Sequence, residues 1–367
     1  GEFAGAFVPG SGPTAHVSPL PPIMAGLVYR FTGNGGLLSE VCLTVLSLGI
    51  IFGGFFAMYR AFRLTGMQEK WALGAFAFLM LVPLYYAQEG ITFRTWEGGQ
   101  ATLLFALGLL ILALAERQDR FSRASLAGMA AVIAIAFLVS PIVGLSLIIC
   151  ATIFYLRRRQ LVKAAGTGAL LCCIALLALT PWAIRNERAL GSPVLLRSNF
   201  GLVLASAYHE SAYRVRSGAE RMVEFPRYLG SINPYWSRPI TDEMMRRGGE
   251  VVYNDQLKDQ ALGWIRANPG KAANLALRYA GEFLFTPPYT WGFYQQLTPA
   301  RRVLAYLSAT ITAIGLLGLL VCLLRRQRLA LYGLVHIGSA TALYALSQPL
   351  PRYHYIIHPS LVFFAFR

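Results

Sequence analysis

The chain has 367 residues, of which 56% are hydrophobic and only 14% are charged. Soluble domains carry about 25% charged residues, so this composition and a mean hydropathy of +0.50 exclude an ordinary soluble globular protein. The formal net charge of +16 would suggest a nucleic-acid partner in a soluble chain. Here many of the arginines lie in short turns between apolar runs, where the positive-inside bias of membrane proteins places them, and we expect no nucleic-acid partner.

The sequence predicts four successive regions. Residues 1–36 form the end of a first outer loop with a surface helix, 37–184 a transmembrane bundle, 185–301 an outer loop domain and 302–367 the C-terminal transmembrane helices. The surface helix is indicated by residues 23–30, which follow two adjacent prolines and are too short to span a bilayer.

The apolar runs predict nine membrane-spanning helices, taking about 20 apolar residues as one crossing. The predicted spans are 37–59, 71–87, 100–115, 124–139, 141–156, 163–182, 303–324, 329–346 and 355–367. The fourth and fifth are short and meet at Ser140-Pro141. They are either two short crossings joined by a turn or one broken re-entrant pair, because proline breaks a helix interior.

Lysine and arginine in the short loops predict the orientation of the chain. Four clusters fall on the same face by alternation of the spans, and the positive-inside bias makes that face cytoplasmic. The long polar segment 185–301 then lies on the opposite, periplasmic face. The clusters are Arg60, Arg63 and Lys70; Arg117, Arg120 and Arg123; Arg157, Arg158, Arg159 and Lys163; and Arg325, Arg326 and Arg328.

The long polar segment predicts a small periplasmic helical cap. Thr241, followed by two acids, is typical of a helix start, and apolar residues recur at helical spacing from Met244 to Ile265. Asn268-Pro269-Gly270 predicts the end of this helix, and a second helix leads to Pro287-Pro288.

The five cysteines all lie inside apolar runs. We therefore expect them to be small buried hydrophobic residues, and neither a disulfide framework nor a zinc site is predicted. They are Cys42, Cys150, Cys172, Cys173 and Cys322.

Four segments carry a pattern that resembles a known family. They are Gly12-Pro13-Thr14-Ala15-His16 with Ser18-Pro19-Leu20-Pro21-Pro22; Trp96-Glu97-Gly98-Gly99-Gln100; Thr180-Pro181-Trp182-Ala183-Ile184-Arg185-Asn186 with Gly191-Ser192-Pro193-Val194 and Ser198-Asn199-Phe200-Gly201; and Pro351-Arg352-Tyr353 with His358-Pro359. They resemble the integral-membrane glycosyltransferases of the GT-C fold, specifically the bacterial members related to protein O-mannosyltransferases and to the aminoarabinose transferase of lipid A. The third segment is the most specific.

The resemblance implies both an architecture and a reaction. The fold would be an all-α, polytopic membrane helix bundle of GT-C type with a small periplasmic helical cap, in the bacterial inner membrane. The reaction would transfer a sugar from a polyprenyl-phosphate donor to an acceptor lipid, glycan or protein at the periplasmic face. Such an enzyme needs a cation, best an arginine, to bind the donor phosphate and an acid to take the acceptor proton.

The resemblance makes Glu97 the first candidate for the catalytic acid, with Glu89 as its competitor. Each is equally consistent with a solvated charge at the membrane interface. The family also places an acid early in the first periplasmic loop, soon after a first span. This chain begins with Gly and holds only Glu2 there, so we expect a longer enzyme whose first span lies upstream, and no activity without it.

The candidates for binding the donor phosphate are Arg352, Tyr353, His16 and Arg185. Each has a plainer alternative: Arg352 is also consistent with an interfacial anchor, and Arg185 with contact to lipid headgroups alone. His16 is also consistent with a packed loop histidine, which its sequence context favours. No metal site is predicted from the histidine spacing near Arg352, although a divalent metal stays open as a cofactor.

Two other functional classes compete with an enzyme. A transporter would be expected to show an inverted repeat, matched broken helices and ionisable residues deep within its spans, and the sequence shows little of these. A non-catalytic scaffold subunit is the third alternative, because the acid of the first loop has no clear counterpart.

Overall fold

The computed structural model describes residues 3–82, 87–92, 94–95, 97–215, 217–235, 237–292, 298–347 and 349–367. Within them the chain is all-α, as predicted, and an isolated bridge between Ala4 and Pro13 is the only β pairing. A π-helical turn covers Ala87–Thr92 and a 3-10 turn covers Pro288–Gly292. The α-helices of this described part are α1 (Leu20–Thr32), α2 (Leu37–Leu64), α3 (Glu69–Leu81), α4 (Glu97–Gln118), α5 (Arg123–Val139), α6 (Pro141–Leu156), α7 (Leu161–Leu190), α8 (Phe200–Ala207), α9 (Glu210–Arg214), α10 (Gly218–Ile232), α11 (Arg238–Arg246), α12 (Glu250–Ala267), α13 (Pro269–Leu284), α14 (Pro299–Leu324), α15 (Arg328–Tyr344), α16 (Pro351–His354) and α17 (His358–Phe366).

Four of the described helices, α2, α4, α7 and α14, are long and apolar enough to cross a membrane. Their mean hydropathies lie between 2.0 and 2.4, which supports a membrane protein. Helices α5 and α6 are apolar but have only 17 and 16 residues. Helices α3, α15 and α17 have 13, 17 and 9 residues. The nine-crossing topology therefore stays a prediction.

The chain divides into two compact units. The loop unit consists of residues 1–18, 180–305 and 341–351. The bundle unit consists of residues 19–179, 306–340 and 352–367. The polar segment that the sequence sets apart thus folds together with the start of the chain.

In the bundle unit, glycines let helices α2 and α4 approach closely. A Cβ added at Gly54 would lie 3.1 Å from the Cα of Leu103, and one added at Gly99 would lie 2.8 Å from Ile51 Cγ1. Gly99, two residues after Glu97, therefore has a packing role.

Helices α14 and α17 are also in close contact within this unit. A Cβ at Gly315 would lie 2.5 Å from the Leu361 carbonyl oxygen, and one at Gly318 would lie 2.1 Å from that of Phe364. The side of α17 that faces α2 places the ring of Phe363 on Phe62, with centroids 4.9 Å apart. Backbone contact on one side and aromatic stacking on the other hold the short last helix in the bundle.

The junction between α5 and α6 follows the sequence closely. Helix α5 ends at Val139, Ser140 is extended, and Pro141 is the first residue of α6. Proline is favoured at this position because its missing N–H would have no partner inside the helix in any case. The predicted break is therefore confirmed. A helix is also present where the surface helix is predicted, over Leu20–Thr32, and its place on the membrane surface stays a prediction.

In the loop unit, α8 packs against α12 at backbone distance. A Cβ at Gly201 would lie only 1.7 Å from the carbonyl oxygen of Asn254. The Asn254 side chain accepts a hydrogen bond from Leu202 N (3.0 Å) and donates one to the Glu250 carbonyl (3.0 Å). Buried side chains of α8, α11, α12 and α13 form the apolar core around this contact.

Two predicted helix boundaries are wrong. Thr241 lies inside α11, where its hydroxyl donates to the Pro234 carbonyl (2.8 Å), and a new helix begins at Glu250. The cause is the pair Gly248 and Gly249, whose φ angles of +104° and +90° interrupt an otherwise continuous apolar pattern. Helix α3 ends at Leu81, short of the predicted span 71–87, because a residue that precedes a proline disfavours helical geometry.

Candidate functional site

The loop unit contains a buried carboxylate, that of Glu250, which is 6% exposed. Its Oε2 accepts a hydrogen bond from the Thr14 hydroxyl (2.6 Å). Its Oε1 accepts one from Ala15 N (2.9 Å) and another from the Ser198 hydroxyl. Residues 235 and 52 positions away in the chain thus meet on one side chain.

The position of Glu250 on its helix explains why it can be buried. It lies in the first turn of α12, directly after the two glycines with positive φ. A helix N-terminus carries a partial positive charge, so a carboxylate there is stabilised without a cation in contact. Three neutral donors complete its hydrogen bonds.

Arg185, in α7, holds the beginning of the chain. Its Nη1 donates to the Thr14 carbonyl (2.7 Å) and to Asn186 Oδ1 (2.9 Å), and its Nη2 donates to the Phe3 carbonyl. Its guanidinium also lies over the ring of Trp182, 5.2 Å from the centroid. These contacts make Arg185 a residue that positions the first loop, and its role in phosphate binding stays a prediction.

The first and third of the four segments that carry the resemblance are therefore in contact with each other. Thr14 of the first segment bonds both to Arg185 of the third and to Glu250. Within the third segment, Asn186 Nδ2 donates to the Val194 carbonyl (2.7 Å). Two segments chosen from sequence alone thus meet in one hydrogen-bonded site.

His16 lies beside this site and is 7% exposed. Its ring packs edge-on against Phe7 and Tyr235, with centroids 5.0 and 4.8 Å away. Burial and, secondarily, the charge of Arg197 lower the pKa of His16 from 6.5 to about 3. The imidazole is therefore neutral at physiological pH, and the geometry is that of a packed loop histidine.

Arg197 is a candidate that the sequence patterns did not single out. Its Nε donates to the Ser18 hydroxyl (2.9 Å), which joins the second half of the first family segment to the loop between α7 and α8. Arg197 is half-buried and its charge acts on His16. The next residue, Ser198, donates to Glu250, so Arg197 is a cation beside the hydrogen-bonded site. The sequence signal that could have identified Arg197 is its position directly before Ser198, where part of the third resembling segment begins.

Arg352 and Tyr353 belong to the bundle unit and lie together in α16. Arg352 Nη2 donates to the Tyr353 hydroxyl (3.2 Å), and the guanidinium carbon is 5.0 Å from the centroid of that ring. The next residue, His354, is buried and its Nε2 lies 3.1 Å from the Thr312 hydroxyl. The fourth family segment is therefore anchored in the bundle while Arg352 stays half-buried.

Glu97 is the first residue of α4 and is partly exposed. In the first turn of the same helix, Gln100 Nε2 turns back to donate to the Thr95 carbonyl (3.0 Å). Glu89 lies in the π-helical turn, and its side chain and all of Trp96 lie outside the described part of the structure. Glu97, Arg352 and Tyr353 thus share the bundle unit, whereas His16 and Arg185 share the loop unit.

A cavity of about 300 Å³ opens in the loop unit away from the Glu250 site. Its wall includes Tyr208, Trp264 and the parallel stack of His209 on Tyr228, whose ring centroids are 3.5 Å apart. Aromatic faces next to amide and carboxylate groups suit a sugar ring, which has both apolar and hydroxyl surfaces.

The bundle unit contains a second buried carboxylate, that of Glu116, in the last turn of α4. It accepts hydrogen bonds from the arginines at positions 157 (3.4 Å), 158 (2.9 Å) and 328 (2.9 Å) and from the Tyr332 hydroxyl. Sequence patterns did not single out Glu116, because an acid close to several arginines at the end of an apolar run looks solvated. Because both carboxylate oxygens already accept hydrogen bonds from these side chains, we assign Glu116 a structural role.

In the part of the chain that the structure describes, no three His, Cys, Asp or Glu side chains are placed to hold a metal ion. The five cysteines have free thiols. Comparison with protein-family models, curated proteins and solved structures finds no match to this chain.

Proposed function

We propose that this protein is a membrane glycosyltransferase that moves a sugar from a polyprenyl-phosphate donor to an acceptor at the periplasmic membrane face. The observation that carries the proposal is the contact between the first and third family segments through Thr14, Arg185 and Glu250. The first segment resembles the end of the first periplasmic loop of that family and the third resembles the junction that leads into its periplasmic domain, so in such an enzyme both would lie on the periplasmic face. The apolar helices supply the surface that a polyprenyl tail requires.

In the proposed reaction an arginine binds the donor phosphate and an acid at the start of a helix removes the acceptor proton. The acceptor hydroxyl or amine attacks the anomeric carbon, the bond from that carbon to the phosphate oxygen breaks, and polyprenyl phosphate leaves. Arg352 would neutralise the charge that grows on the leaving phosphate, because its planar fork can donate to two oxygens. Tyr353 holds this guanidinium in place (3.2 Å). Glu97 would take the proton of the acceptor.

Substitution of Arg352 in the full-length protein tests this assignment. Arg352→Ala should reduce turnover of a polyprenyl-phosphate sugar in proteoliposomes about tenfold to a hundredfold, since a charge-assisted hydrogen bond contributes roughly 1.5–3 kcal/mol. Arg352→Lys should restore only part of it, because an ammonium cannot donate in a fork. Arg227→Ala is the matched control, since the Arg227 side chain is 79% exposed and pairs only within its own helix. Unchanged donor kinetics in Arg352→Ala would remove this residue from the site.

The same preparation separates the enzyme from its competitors. A glycosyltransferase should form a glycosylated acceptor and free polyprenyl phosphate in equal amounts, and Glu97→Gln should suppress both. Movement of the intact lipid-linked sugar across the bilayer, without transfer, would instead indicate a transporter. Neither transfer nor movement by the full-length protein would leave a scaffold subunit and refute the proposal.

A further inference from the structure

Two adjoining cavities in the bundle unit share Leu64 and Arg117 in their walls. Their volumes are about 470 and 380 Å³, which is enough for a small polar group. Seven arginines line them, whereas Glu116 is the only acid in the described walls. The arginines are Arg60, Arg63, Arg117, Arg325, Arg326, Arg328 and Arg367.

Three of these arginines have partners within the protein. Arg63 pairs with Glu69 (3.2 Å) and Arg328 with Glu116 (2.9 Å). Arg367 donates to the hydroxyl (3.1 Å) and the carbonyl (2.8 Å) of the threonine that follows α2. Because Glu116 already accepts from two further arginines, it cannot neutralise the rest of the wall.

The other four, Arg60, Arg117, Arg325 and Arg326, have no ion pair or side-chain hydrogen bond among the described residues. Like charges held around a cavity repel each other, so the arrangement is stabilised by an anion that enters it.

The cavities lie at the C-terminal ends of α2 and α4 and next to that of α14, three of the helices that are long and apolar enough to cross a membrane. The end of a spanning helix lies at the level of the lipid headgroups. We propose that these two cavities form a binding site for the phosphate headgroup of an anionic phospholipid. The site is separate from the residues proposed for glycosyl transfer.

The positive-inside bias alone does not explain why arginines surround these cavities, because arginines elsewhere on the predicted cytoplasmic face satisfy the same bias. Like the four cavity arginines, Arg120, Arg123 and Arg159 are exposed and have no side-chain partner in the described part of the chain, but they lie outside both cavities. They therefore provide a control with the same change in net charge.

The test compares two triple variants of the full-length protein in nanodiscs. Arg117→Gln, Arg325→Gln and Arg326→Gln remove the unpaired cavity charges, and Arg120→Gln, Arg123→Gln and Arg159→Gln remove the control charges. Retention of phosphatidylglycerol against phosphatidylcholine is counted by native mass spectrometry. We expect the cavity variant to lose about tenfold in affinity for phosphatidylglycerol and the control variant less than about twofold. The single variant Arg325→Gln, with a smaller loss, covers the case in which the triple variant does not fold.

Three outcomes would overturn the proposal. Equal losses in the two triple variants would show a general attraction of charge to the anionic surface. Unchanged retention in the cavity variant would show that the arginines do not bind lipid. Displacement of phosphatidylglycerol by millimolar inorganic phosphate, in a manner that depends on the cavity arginines, would assign the site to a soluble phosphate compound.

Discussion

Among the residues that the structure describes, each unit contains one deeply buried glutamate, and the two carboxylates are stabilised in different ways. Glu250 of the loop unit accepts hydrogen bonds from two hydroxyls and a backbone N–H, and no cation touches it among the described residues. Glu116 of the bundle unit is contacted by three arginines and a tyrosine hydroxyl.

The position of each glutamate along its helix explains the difference. Glu250 lies in the first turn of α12, where the helix end carries a partial positive charge, whereas Glu116 lies in the last turn of α4, where that charge is negative. Neutral donors are therefore sufficient for Glu250, and Glu116 needs formal cations. The end of the helix at which a buried acid lies thus predicts the kind of partners it requires.

The largest effect should follow from Glu116→Gln. This change leaves three arginines around a neutral amide, and loss of one member of a buried ion pair costs about 3–5 kcal/mol. The thiol of Cys150, which is buried beside the Tyr332 carbonyl, should react with a maleimide at a lower temperature in a protein without the other cysteines. Asp119→Asn is the control, because that side chain is 76% exposed and should cost less than about 1 kcal/mol. Equal effects would contradict the cationic requirement.

The next effect compares helix packing in the two units. Gly201→Ala should destabilise the loop unit by about 3 kcal/mol, because the new Cβ meets the Asn254 carbonyl, which is backbone and cannot move alone. Gly99→Ala should cost the bundle unit only about 1 kcal/mol, because it meets the side chain of Ile51, which can change rotamer. Thermal unfolding in detergent measures both, and the reverse order would contradict this account of the two contacts.

A smaller effect is expected for Glu250→Gln. The amide keeps one acceptor oxygen and the Thr14 hydroxyl can turn to accept from its NH2, so the loss should be about 1–3 kcal/mol. Protease cleavage near Phe3 should become faster as the first loop loosens. Asp255→Asn, in the same helix and with a side chain that is 59% exposed, should leave the cleavage rate unchanged. A loss as large as that of Glu116→Gln would show that helix position does not decide the energetics.

The smallest effect is expected for His16→Phe, which should leave the stability at neutral pH unchanged. The variant keeps an aromatic ring between Phe7 and Tyr235. Below pH 6.5 the unfolded chain takes up a proton that the folded chain, with its His16 pKa of about 3, does not. This group therefore lowers stability by about 2 kcal/mol from pH 6.5 to pH 5, at about 1.4 kcal/mol per unit. Trp264 fluorescence should show a weaker pH dependence of unfolding in the variant. An unchanged dependence would assign it to His209, whose pKa burial lowers to about 4.

Local effects in this chain could be predicted from the sequence. The break between α5 and α6 follows from the chemistry of a single proline at position 141, and the connection between α12 and α13 follows from Asn268-Pro269. The break before Glu250 was missed because the apolar spacing continues across it, and only the φ angles of two glycines reveal it.

The contacts of the candidate site depend on pairings over long sequence distances. Thr14 and Glu250 are 236 residues apart, so no periodicity connects them. The resemblance includes Thr14 and Arg185 in two separate segments, and the contact between them became visible only in the folded chain. Arg197 and Glu250 lie outside the quoted segments and became visible only in the folded chain.

The contact of α17 with α14 has a consequence for the order of assembly. The glycines at positions 315 and 318 and the ring of Phe62 are all synthesised before the helix that covers them. The stacking of Phe62 on Phe363 joins residues about 300 positions apart, and such distant pairings form late because the intervening chain must first be ordered. Until then a strip of bare backbone on α14 faces its surroundings. Docking of α17 therefore covers this strip only after α2 and α14 have formed, and a cell that monitors unfinished membrane proteins would find the bare backbone exposed in that interval.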